Sequence, residues 1–123
     1  MKDAEWALIV DDNEEMRELF AHGIQSLGYK VHGVGNAASA RAWLADQAPA
    51  VIILDVMMPD GNGLDLCRWI RAQRRIERVP VLMTSALRDE ETVQDALELG
   101  ATDFLQKPFT MAALKEKIAR LRR

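Results

Sequence analysis

Short apolar runs alternate along the chain with longer stretches in which apolar residues recur every three or four positions. Trp6 to Val10 (WALIV) is continuous and ends on the pair Asp11-Asp12, the pattern of a strand buried on both faces. Asn13 can cap the helix that follows, and Glu14 and Glu15 suit its positive N-terminal end. Met16, Leu19, Phe20, Ile24 and Leu27 then recur at helical spacing until Gly28 stops the pattern. Tyr29 to Val34 reads as a second strand. Asn36 opens a second helix with Ala40, Trp43 and Leu44 on one face, and Pro49 follows its end.

The cycle then repeats. Val51 to Leu54 is another buried strand, delivering Asp55 at its end. A polar loop, Met57-Met58-Pro59-Asp60-Gly61-Asn62-Gly63, precedes a third helix that groups Leu66, Trp69 and Ile70. Val79 to Thr84 predicts a fourth strand. Val93, Ala96 and Leu97 mark a fourth helix closed by Gly100, and Thr102 to Leu105 a short fifth strand. Thr110 caps a last helix carrying Met111, Leu114, Ile118 and Leu121.

Alternating buried strands and amphipathic helices imply an α/β fold with a parallel sheet covered on both faces. Five such units suit a doubly wound, flavodoxin-like sheet in the order 2-1-3-4-5. The 123 residues fit one domain, and 49% hydrophobic with 28% charged residues is globular composition. The net charge of -3 speaks against direct nucleic-acid binding by this domain. The basic stretch Lys115, Lys117, Arg120, Arg122 and Arg123 reads as a solvated helix end. A single cysteine, Cys67, leaves no internal disulfide. Neither a signal segment nor a membrane span is expected, so the expected setting is cytoplasmic.

In a doubly wound sheet, ligands bind beyond the carboxyl ends of the strands. There the first strand brings Asp11 and Asp12, the third Asp55, the fourth Ser85, and Lys107 follows the fifth. Two carboxylates 4 Å apart repel by roughly 4 kcal/mol at an effective dielectric of 20. Such a cluster must be partly protonated or hold a cation. Hard oxygen donors with no His or Cys beside them suit Mg²⁺ with phosphate as co-ligand. A carboxylate can itself be the nucleophile of phosphoryl transfer, and Asp55, alone in the middle of the sheet, is the candidate.

The segments Val10-Asp11-Asp12-Asn13, Ile53 to Gly63 (ILDVMMPDGNG) and Phe104 to Phe109 (FLQKPF) resemble the signature set of receiver domains of two-component response regulators, the chemotaxis-regulator type included. The resemblance covers essentially the whole chain. It implies a phosphorylation-activated switch rather than a turnover enzyme, with Asp55 as phosphoacceptor. It further implies Mg²⁺ held by Asp11, Asp12, Asp55 and the Met57 backbone carbonyl. Lys107 would pair with the acids at rest and with the phosphoryl group after transfer, and its bond to Pro108 would be cis. Ser85, followed by small Ala86, is the matching hydroxyl in preference to Thr84. Ser85 and Phe104 would form the switch pair.

The phosphodonor implied is a histidine kinase or a histidine phosphotransfer protein docking near the first helix. The output face implied is the fourth helix, fifth strand and fifth helix, with homodimerisation through it as one use. His22 and His32 read as surface or packing residues rather than phosphoacceptors. Three rival readings are weaker. A Mg²⁺-dependent aspartyl-phosphate phosphatase needs an acid two residues after its nucleophile, where Met57 stands. A flavodoxin-like cofactor binder needs a phosphate loop, which Asp11-Asp12 would repel. A pseudo-receiver, acting as a phosphorylation-independent interaction module, would lack one of the key residues.

Overall fold

The computed structural model describes residues 5–86 and 90–121; Arg122 and Arg123 of the basic end lie outside them. Five parallel strands, β1 (Trp6–Val10), β2 (Lys30–Val34), β3 (Val51–Asp55), β4 (Val81–Ser85) and β5 (Asp103–Gln106), form one sheet in the order β2-β1-β3-β4-β5. The helices are α1 (Glu14–Gln25), α2 (Ala37–Leu44), α3 (Gly63–Arg71), α4 (Glu90–Glu98) and α5 (Met111–Leu121). The expected architecture and strand order are therefore the observed ones.

The continuous apolar strands are explained by two cores, one on each face. Leu8, Val10, Ile52, Leu54 and Met83 pack with buried residues of α2, α3 and α4. Ala7, Ile9, Val51, Ile53, Leu82 and Leu105 pack with Phe20 and Ile24 of α1 and Leu114 and Ile118 of α5. Consecutive strand residues thus serve opposite cores, as the pleat requires, and the central strands have no solvent face to carry polar residues. Caps behave as read: Asn13 accepts from the Met16 N–H at 2.8 Å, Asn36 from Ser39 at 2.7 Å, and Thr110 from Ala113 at 3.0 Å. Gly28 and Gly100 adopt φ of +98° and +110°, the left-handed conformation that lets a chain leave a helix at little cost.

Some boundaries and exposures differ from expectation. β4 begins at Val81 rather than Val79 and reaches Ser85. Pro80 lacks the N–H a ladder needs, and the Arg71 guanidinium takes the Val79 and Glu77 carbonyls instead. β5 correspondingly runs to Gln106, which pairs with Ser85. Within the loop after β3, Met57–Met58 and Gly61–Asn62 form a two-residue antiparallel ladder that local pattern did not reveal. Leu19, Leu27 and Leu97 keep helical spacing yet remain exposed. Trp6 is 38% exposed, its ring meeting Trp43 edge-on at 6.2 Å while His32 stacks on Trp43 at 5.0 Å. The packing role of His32 follows from that stack, and His22 lies exposed on α1.

Candidate functional site

The carboxyl ends of β1 and β3 lie side by side, so Asp11 and Asp55 meet although 44 positions separate them in sequence. One oxygen each from Asp11, Asp12 and Asp55 lies within 4.8 Å of the others. Asp11 is 1% exposed and Asp55 6%, whereas Asp12 faces solvent. Lys107 crosses from the far edge of the sheet and closes the group. Its Nζ donates to Asp11 Oδ2 at 2.8 Å and to Asp55 Oδ2 at 3.0 Å. The structure therefore brings together the four charged residues singled out by sequence, and the Lys107–Pro108 peptide is cis.

The other carboxylate oxygens of Asp11 and Asp55 are committed to backbone. Asp11 Oδ1 accepts the Asn13 N–H at 2.9 Å, and Asp55 Oδ1 the Met57 N–H at 3.1 Å. Burial pushes the Asp55 carboxyl above its ordinary range and Asp11 adds repulsion; bonds from Lys107 and Met57 pull the other way without cancelling it. For Lys107, burial alone would favour the neutral amine. Hydrogen bonds and charge from Asp11 and Asp55 outweigh it, so its pKa is raised. Three carboxylates facing one ammonium leave a formal excess of two negative charges in a crevice with an exposed member. Hard oxygen donors with that charge excess fit a divalent cation such as Mg²⁺.

The two adjacent hydroxyls of β4, both fully buried, serve different faces. Phe104 pairs in register with Met83 and packs against the α2–α4 core, so Ser85, two residues beyond Met83, shares that face. Thr84 is in register with Asp55 and with Leu105, and alternation from Leu82 puts it on the α1–α5 face. Met57 is 62% exposed beside the acid cluster and pairs with Asn62.

Three supporting residues carry no chemistry that sequence alone exposes. Arg17 of α1 donates from Nη1 to the Asp11 carbonyl at 2.8 Å, and Gly33 and Gly35 leave room for its side chain. Gly63 sits so close to β3 that a Cβ there would lie 2.0 Å from the Asp55 carbonyl oxygen; a glycine opening a helix behind a turn loop was the only local signal. Asp60 reaches the N-terminus of α2, accepting from Ala37 N at 2.9 Å and Ala38 N at 3.0 Å. It thereby ties the loop after β3 to a helix more than twenty residues upstream.

Those two backbone bonds hold the Asp60 carboxyl below its ordinary value of 3.8. A depressed pKa contributes stability above the unfolded value, and the contribution is lost as pH falls through the folded one. Carboxylate NMR is expected to place the Asp60 midpoint below 3.8, and Asp60→Asn to flatten the stability slope in that acid window. A midpoint at or above the ordinary value would show that the tie to α2 is not made in solution.

The family profile described as response regulator receiver domain matches residues 7–119. The transcriptional regulatory protein GltR of Pseudomonas aeruginosa is 41% identical over 116 residues, which span 94% of this chain and 48% of GltR. The phosphate regulon regulator PhoB of the same organism is 34% identical over 115 residues, 94% of this chain and 49% of PhoB. The chain thus spans about half the length of these curated relatives. Among solved structures, the chemotaxis response regulator CheY4 of Vibrio cholerae superposes with a TM-score of 0.91 at 30% identity, over 97% of this chain and 99% of that one. A signal receiver domain of a histidine kinase from Syntrophus aciditrophicus gives 0.88 at 35% identity, over 97% and 90%.

Proposed function

The chain belongs to the response regulator receiver domain family, and from that membership we propose that it is a Mg²⁺-dependent switch phosphorylated on Asp55. The observation that carries the reading is the lysine clamp: one ammonium joins Asp11 and Asp55 while Asp12 stays open to solvent. As a receiver it is a signalling domain, its only chemistry being gain and loss of its own phosphoryl group. The exposed Met57 at the position where an aspartyl-phosphate phosphatase carries its acid supports this over turnover.

In the proposed reaction an Asp55 carboxylate oxygen attacks the phosphorus of a phosphohistidine. An O–P bond forms, the N–P bond breaks, and the imidazole nitrogen keeps the bonding pair and takes a proton from solvent. Asp11, Asp12, Asp55 and the Met57 carbonyl would hold Mg²⁺, which when bound neutralises charge on the equatorial phosphoryl oxygens. Lys107 already sits beside Asp55 and needs only to turn from carboxylate to phosphoryl oxygen. Ser85 then follows the phosphoryl group, and Phe104, on the same face of the sheet and half-buried, occupies the space vacated. Phosphorylation stabilises that arrangement over the resting one.

The donor is a histidine kinase or histidine phosphotransfer protein docking by α1, whose N-terminus adjoins the acid cluster. Output passes through the α4–β5–α5 face, to a second copy or to another partner. GltR and PhoB are named as transcriptional or regulon regulators, and they are about twice as long as this chain. Any DNA contact in a regulator built with this domain is therefore assigned to a segment beyond it.

The test is intact mass after incubation with acetyl phosphate, with and without Mg²⁺. One phosphoryl group is expected, gained only with Mg²⁺ and lost as inorganic phosphate when hydroxylamine attacks the acyl carbon and leaves a hydroxamate. No gain, with Mg²⁺ binding demonstrated by calorimetry, would favour a pseudo-receiver that works as an interaction module.

A further inference from the structure

Among the described residues, the one buried side-chain polar atom without a hydrogen-bond partner is Thr84 Oγ1. The residue is fully buried, and an unsatisfied buried hydroxyl is costly enough that few are kept without reason. Its position gives the reason. Thr84 is the register partner of Asp55 on one side and Leu105 on the other, on the face that holds the α1–α5 core. Lys107, just past β5, has its Nζ on Asp55 at the end of β3 and on Asp11 at the end of β1. β4 lies between β5 and β3, and the Lys107 N–H donates to the Ser85 carbonyl at 2.8 Å, so the lysine stem starts beside the end of β4. Asp55 and Asp11, which it reaches, share the α1–α5 face with Thr84 by alternation from Ile53, Ile9 and Leu82. The stem therefore passes over the end of β4, on the Thr84 side of the sheet.

At rest the ammonium has three protons, and two of them go to Asp11 and Asp55. A phosphoryl group on Asp55 would take over the ammonium's bond to that carboxylate, and in turning to it the ammonium would shift along its own path, toward β4. We propose that Thr84 is a positioning residue for Lys107: its hydroxyl is unpaired at rest and accepts the ammonium's third proton once the site is phosphorylated. The hydroxyl then costs stability only in the resting arrangement, and so biases the switch toward the phosphorylated one. This rests on the phosphoacceptor reading and deepens it by assigning the second β4 hydroxyl. Ser85 serves the phosphoryl group and Phe104 from one face, and Thr84 serves the lysine from the other.

Thr84→Val and Thr84→Ser separate this role from a packing defect. Each variant is compared with the wild type in two readouts: melting temperature of the unliganded protein, and the dissociation constant for beryllofluoride in Mg²⁺, by calorimetry. Thr84→Val, which keeps the shape and removes the hydroxyl, is expected to melt higher than wild type at rest yet bind beryllofluoride about five- to tenfold more weakly, the scale of one buried hydrogen bond. Thr84→Ser is expected to restore wild-type affinity. Equal affinity in wild type and Thr84→Val would overturn the proposal, leaving Thr84 a buried defect that affects stability alone. Thr84→Ser binding as weakly as Thr84→Val would also overturn it, by assigning the effect to shape. Failure of the wild type itself to bind beryllofluoride would instead sink the phosphoacceptor reading, and this proposal with it.

Discussion

Asp55→Asn is expected to take up no phosphoryl group from acetyl phosphate, whatever the Mg²⁺ concentration, while melting within a few degrees of the wild type. An amide oxygen is too weak a nucleophile for phosphorus, and no neighbouring group offers an equivalent one. Asp11 and Asp12 follow β1, whereas Asp55 ends β3, the strand paired with β4 and its Ser85 hydroxyl. The near-unchanged stability follows from the resting electrostatics. Burial holds the Asp55 carboxyl above its ordinary pKa, and Asp11 repels it, so in its charged form it is a strained member of the site. The amide removes that strain, can keep the Met57 N–H bond, and leaves the 2.8 Å Lys107–Asp11 pair in place. Intact mass and thermal melting on the same samples check both halves. Persistent uptake would assign the phosphoryl group to another residue, and a large loss of stability would mean that the ionised carboxylate holds the fold together.

Gly63→Ala is expected to damage the fold and the chemistry together. An added Cβ would lie 2.0 Å from the Asp55 carbonyl oxygen and 3.0 Å from the Val56 Cα. Both obstacles are backbone, so no side-chain rotation relieves the clash. Either the start of α3 retreats or the end of β3 is displaced. The Gly63 N–H donates to the Val56 carbonyl at 2.7 Å, so retreat also breaks a hydrogen bond. Overpacking of this kind costs about 1–3 kcal/mol. Because the clash falls on Asp55, the proposed nucleophile, the phosphorylation rate is expected to fall by about 10²-fold, the scale of a 1 Å misplacement of a reacting group. Chemical denaturation and the initial rate with acetyl phosphate measure the two effects. A stable variant with an unchanged rate would show that the loop absorbs the methyl group without moving Asp55.

Particular elements show what the chain announces locally. WALIV before Asp11 and VIIL before Asp55 declare themselves as buried strands, because only a strand covered on both faces is apolar at every position. The aspartates that end them fall at the carboxyl edge by chain direction alone. Asn13, Asn36 and Thr110 act on amides three residues away, and such caps can be read without knowing the fold. In this way the five strand–helix units, the sheet order and the convergence of Asp11, Asp12, Asp55 and Lys107 were all within reach of the sequence.

Other features depend on distances between segments remote in the chain. That Arg17 grips the Asp11 carbonyl follows from the position of α1 over the bare backbone at Gly33 and Gly35. That Asp60 caps α2 follows from where the loop after β3 lands. The short ladder at Met57–Met58, the start of β4 beyond Pro80 and the exposure of Leu19 and Leu97 belong here too. So does the division of labour between Thr84 and Ser85. Alternation says that adjacent strand residues face opposite ways, but only the registers of β4 with β3 and β5 say which way each faces. The sequence by itself determined the fold class and the charged residues of the site, because both follow from local periodicity and chain direction. Tertiary structure alone decided which groups hold those residues in place, because register and close approach are set by how separate elements pack.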